Sequence, residues 1–117
     1  MKRGVLFFLL LALGIQFGVI TTWAGQTRDG KEIFESMKCI KCHHPDKKIN
    51  GPSLKTIVKV YGEKEKLLLF FEGTSDPIVE PERYITMKPR RRKIEKLPKE
   101  EKKALTDYFF SFKEEDK

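Results

Sequence analysis

Cys39-Ile40-Lys41-Cys42-His43 holds both cysteines of the chain and one of its two histidines. Cys-x-x-Cys-His is the covalent attachment signature of c-type haem. The reason is reach. Two thiols three residues apart, near the end of a helical turn, face the same way, and each can add to one porphyrin vinyl group. The histidine that follows is then held under the iron and ligates it through an imidazole nitrogen. Other readings of the pair are weaker. A disulfide is the plain alternative in an exported chain. A thioredoxin-like pair needs a βαβ setting, and no strand–helix–strand pattern is present. Structural zinc needs four spaced ligands, whereas Cys39, Cys42, His43 and His44 are crowded together.

Outward from the motif, the chain is short and basic: 117 residues with a net charge of +7. One domain is expected. Residues 1–24 stand apart from it. Lys2 and Arg3 precede an apolar run from Val5 to Val19, and Thr22-Trp23-Ala24 ends on a small residue. That is the order of a secretory signal peptide. A retained membrane anchor is the alternative, because a span needs roughly 20 apolar residues. Residues 25–117 then form the mature domain, in a periplasmic or other extracytoplasmic location. A domain of this size buries little core unaided, and a covalently held haem would add a large apolar plate.

The periodicities are helical. Asp29 can cap a helix running from Gly30 to Met37, with Ile33, Phe34 and Met37 on one face. His44-Pro45-Asp46 ends regular helix. A polar loop with a turn at Asn50-Gly51-Pro52 follows. Ser53 caps a second helix, whose stripe is Leu54, Ile57, Val58 and Tyr61, and Gly62 stops it. A third helix is expected over Glu63 to Glu72, burying Leu67, Leu68, Phe70 and Phe71, with Gly73 at its end. From Gly73 to Leu97 no period is evident, and Pro77, Pro81 and Pro89 interrupt the chain, so an irregular loop is expected. The last helix runs from Lys99 to Phe112, with Pro98 in its first turn and Ala104, Leu105, Tyr108, Phe109 and Phe112 on one face. The fold class is therefore all-α, with about four helices around one haem.

Taken in order, these pieces resemble the class I cytochrome c family of small monohaem electron carriers. Gly30-x-x-x-Phe34 precedes the attachment motif. Gly51-Pro52-x-Leu54 follows it, then a late Met87 with Pro89 close behind, and finally Leu105-x-x-Tyr108-Phe109. The resemblance implies that His43 and Met87 bind the iron from opposite sides, although filling core space is what most methionines do. A thioether is a soft, neutral donor that favours reduced iron and leaves no open position for oxygen chemistry. The resemblance also places Gly51 and Pro52 behind the proximal histidine, where a nearby carbonyl accepts the second imidazole hydrogen. It places Gly30 and Phe34 where the first helix crosses the last, against Leu105, Tyr108 and Phe109. His44 is one residue from a ligand and cannot span the porphyrin. Lys88 is at most a substitute for a displaced methionine.

The implied function is a one-electron Fe(III)/Fe(II) shuttle without enzymatic activity of its own. The alternatives are a haem c subunit of a larger oxidoreductase and a gas-binding sensor. The implied cofactor is a single covalent haem c, and a monomer is expected. Lys88 to Lys93 holds five basic residues in six. It would suit redox partners with acidic docking surfaces, haem propionates, anionic lipid or plain solvent. Nucleic acid is a poor match, because aromatic residues do not interleave the basic run. Membrane contact is expected only if the N-terminal segment is retained.

Overall fold

A computed structural model describes residues 27–114. The expected signal peptide, 1–24, lies outside them. The described residues form five α-helices and two 3-10 turns, with no strand. Helix α1 is Gly30–Ser36 and leads into a 3-10 turn at Cys39–Lys41. Helices α2 (Leu54–Tyr61) and α3 (Lys64–Phe71) follow, then a 3-10 turn at Pro81–Arg83 that feeds α4 (Tyr84–Glu95), and last α5 (Lys99–Phe110). No helix among the described residues is long and apolar enough to cross a membrane.

Local chemistry accounts for most of the boundaries. The Asp29 carboxylate accepts from the Glu32 amide at 2.8 Å and starts α1. The Ser53 hydroxyl accepts from the Thr56 amide at 3.1 Å and starts α2. Each side chain satisfies an amide that the first helical turn leaves without a partner. Gly62 ends α2 at φ +75°, and Gly73 follows α3 at φ +81°, both in the left-handed region that glycine enters freely.

Helices α1 and α5 cross at Gly30. A Cβ there would lie 2.1 Å from the Ala104 carbonyl oxygen and 2.5 Å from Tyr108 Cβ, so only glycine allows this approach. Phe34 then packs on Tyr108 and Phe109, with ring centroids 5.3 and 5.7 Å away. Phe109 continues edge-on to Phe71 at 5.4 Å. Beside the crossing, Arg28 grips Glu101 through two hydrogen bonds of 3.1 and 2.7 Å. The core is Ile33 and Phe34, the α2 stripe, Leu67, Phe70 and Phe71, with Ile94, Leu105 and Phe109.

The stretch Gly73–Leu97 departs from expectation. In place of one irregular loop it contains the 12-residue helix α4, which raises the helix count to five and puts Met87 on a helix. The period was present but disguised. Tyr84, Met87, Arg91 and Ile94 fall at i, i+3, i+7 and i+10, a core-facing stripe in which one position is an arginine. Arg91 is only 6% exposed. Pro89 lies inside the helix and added to the disguise. Arginine and lysine are good helix formers, and they carry the rest of the segment. Elsewhere the differences are one or two residues at helix ends, and Leu68, expected in the core, is half-buried. Met37 caps α1, α3 spans Lys64–Phe71, α5 stops at Phe110, and Pro98 occupies the position just before α5.

Candidate functional site

The attachment motif is shaped by a tight backbone. Lys38 is held at φ +59°, a left-handed conformation unusual for a residue with a side chain. It turns the chain out of α1 and into the 3-10 turn. The amides of Cys42 and His43 then donate to the Cys39 carbonyl at 3.1 and 2.9 Å. Cys39, Cys42 and His43 all line one cleft of about 250 Å³. The two cysteines do not form a disulfide with each other. Burial pushes the Cys39 thiol up to about 11.

The following loop holds His43 from behind. The His43 Nδ1–H donates to the Pro52 carbonyl at 2.7 Å. A carbonyl can only accept, so the proton sits on Nδ1 and the Nε2 lone pair is left available. Burial lowers the His43 pKa, while the bond to Pro52 works in the other direction. Burial prevails, and the ring stays neutral, the state in which imidazole binds metals. Gly51 donates its amide to the Cys42 carbonyl at 2.7 Å. A Cβ on Gly51 would lie 2.9 Å from His43 Cε1.

The rest of the cleft wall is largely apolar. Helix α2 contributes Ile57 and Tyr61, α3 contributes Leu67, Phe70 and Phe71, and α5 contributes Phe109. Pro77, Val79, Glu80 and Arg83 come from the segment before α4. Helix α4 itself supplies Tyr84, Thr86, Met87 and Arg90. Cys39, Cys42, His43, Gly51, Pro52 and Met87 therefore meet at one cavity. His44 is not among the lining residues; its Nδ1 accepts from the amides of Asp46 and Lys47 at 3.0 and 3.3 Å. Lys88 lines a separate groove on the outer face of α4. Cleft-lining and core positions on α2 and α3 are not separable in the sequence, because both fall on the same apolar stripe. Arg91 is the functional residue missed there, although the spacing from Tyr84 to Ile94 carries its signal.

The Cytochrome c family profile matches residues 27–112, nearly the whole described chain. The chain belongs to the cytochrome c family. It is also 31% identical over 108 residues to cytochrome c-551 of Stutzerimonas stutzeri, an alignment covering 89% of this chain and 93% of the relative. As a class I c-type cytochrome it binds one covalent haem c and works in haem-based electron transfer. The cleft suits that group. It has two thiols three residues apart, not joined in a disulfide, a neutral imidazole with one nitrogen uncommitted, and walls rich in aromatic and aliphatic side chains.

Proposed function

We propose that this cytochrome c is a one-electron carrier outside the cytoplasmic membrane, with Cys39 and Cys42 as the thioether positions and His43 and Met87 as the axial ligands. The observation that carries the reading is that Met87 and the Pro52-anchored His43 line the same cleft as the two thiols. When bound, the haem supplies an Fe(III)/Fe(II) couple. The protein's part is to hold two neutral donors in fixed positions, so that little rearranges when the charge changes. The Pro52 carbonyl keeps the His43 ring oriented and its Nδ1 protonated. The aromatic and aliphatic side chains of α2, α3 and α5 limit water in the cleft. If His43 and Met87 both hold the iron, they would leave no place for substrate or gas to bind, which favours a carrier over an enzyme or a sensor.

The extracytoplasmic location rests on the charged, apolar and small-residue order of residues 1–24. The mass of the exported protein checks it, since one measurement reports both haem addition and loss of the leader. The partner is proposed to be an acidic redox protein, because Lys88, Arg92, Lys93 and Lys96 surround exposed Ile85 and Pro89 on the outer face of α4.

The axial assignment is tested by Met87→Ala. The ferric protein should lose its methionine–iron charge-transfer band completely, and the reduction potential should fall, because a soft thioether favours Fe(II). A variant that kept both would show that another group occupies the distal position.

A further inference from the structure

Helix α4 carries Met87 but is weakly built where Met87 sits. Its start has no side-chain cap and no acidic residue in the first turn. Pro89 removes the amide that would bond to the Ile85 carbonyl. Only two α4 residues are buried, Arg91 and Ile94. Something other than the helix itself must therefore fix Met87.

Arg91 makes most of the directed side-chain contacts that tie α4 to the rest of the described residues; Lys102 Nζ to the Glu95 carbonyl at 3.2 Å is a further one, at the far end of the helix from Met87. The Arg91 Nε donates to the Phe70 carbonyl at 2.8 Å, its Nη2 to the Ser75 carbonyl at 2.6 Å, and its Nη1 to the Tyr84 hydroxyl at 3.0 Å. Glu95 lies 3.5 Å from Nε as the counter-charge. The guanidinium carbon sits 4.4 Å from the centre of the Phe70 ring. Phe70 is in the last turn of α3, where the helix dipole is negative; its carbonyl also accepts from the Gly73 amide at 3.2 Å, so Arg91 Nε is its side-chain partner at the helix end. One planar fork thus caps α3, spans the chain to Ser75 and stacks on Phe70. Met87 is four residues earlier, so it shares the same face of α4.

We propose that Arg91 is the positioning residue for the distal ligand: it clamps α4 to the end of α3 and so sets where Met87 enters the cleft. The proposal rests on the axial assignment above. Arginine is required for its geometry as well as its charge, because a lysine ammonium cannot reach two carbonyls and a hydroxyl as one rigid fork.

The test uses the haem-loaded protein in four forms: parent, Arg91→Lys, Ile33→Val and Met87→Ala. Imidazole affinity of the ferric form and carbon monoxide binding rate of the ferrous form report how readily the distal bond opens. Arg91→Lys should fold, keep the charge-transfer band, bind imidazole about tenfold more tightly, equivalent to about 1.4 kcal/mol, and bind carbon monoxide faster by a similar factor. Ile33→Val removes a core methylene and should lower the melting temperature without moving either readout. Parent-like imidazole and carbon monoxide binding in Arg91→Lys overturns the proposal. So does an equal change in Ile33→Val, which would make Arg91 one stabilising residue among many. Retention of the band in Met87→Ala overturns the axial assignment and this proposal together. Loss of the band there with no change in Arg91→Lys overturns the clamp alone.

Discussion

Gly51 occupies a place that no side chain can share with His43. A methyl group there would press on Cε1 at 2.9 Å and on the Cys42 carbonyl at 3.1 Å. The imidazole can yield only by tilting, which would stretch its 2.7 Å bond to Pro52. Gly51→Ala should therefore cost about 1–3 kcal/mol in guanidinium unfolding. It should also raise the reduction potential, because a weaker bond at Nδ1 makes the ring a poorer donor to Fe(III). An unchanged potential would show that the ring has not moved. Single residues were the most legible scale. The helix caps at Asp29 and Ser53 could be read directly, because their side-chain chemistry is local. So could the tight turn at Gly51-Pro52. Arg91 could be read only in part: the Tyr84–Ile94 spacing puts it on the core face, but the carbonyls that satisfy it, Phe70 in α3 and Ser75 in the loop beyond, are distant in sequence.

At the scale of elements, the crossing of α1 and α5 was legible from Gly30, Phe34 and the Leu105–Phe109 face. Small and aromatic residues at helical spacing leave few other ways to pack. Helix α4 was not legible. Its core stripe contains a cation, its interior contains a proline, and its outer face is nearly all basic. Proline inside a helix costs about 3 kcal/mol or more where the missing hydrogen bond is fully felt. Here Ile85 is 73% exposed, so its backbone lies in a more solvated part of the helix. Replacing Pro89 with Ala should stabilise the protein by about 1–2 kcal/mol, after allowing for the extra freedom of the unfolded chain. Hydrogen exchange should slow at the amides around Ile85 to Arg91. No slowing there would mean that the helix is already held fully by its contacts with α3.

Across the whole molecule, charge is unevenly spread. Lys88, Arg92, Lys93 and Lys96 lie together on the solvent side of α4, while the cleft side presents Tyr84, Thr86 and Met87 with one cation, Arg90. If that face meets acidic partners, the second-order rate of electron exchange with an anionic probe such as ferricyanide should fall with salt, by about tenfold or more between low and physiological ionic strength. The double change Lys93→Glu and Lys96→Glu should flatten that dependence. A slope equal to the parent's would move the docking face elsewhere.

The clasp between the two ends of the described chain also has a consequence for timing. Arg28 and Glu101 bond across 73 residues of sequence, and Gly30 packs directly against the backbone at Ala104. A contact between such distant residues cannot form until the segment carrying Glu101 and Ala104 has been synthesised, and loop closure makes it a late event. Phe109, which completes the cleft wall, arrives with it. Cys39 and Cys42 therefore emerge long before the domain can shut over them. The order of synthesis alone leaves an interval in which both thiols are accessible on an open chain.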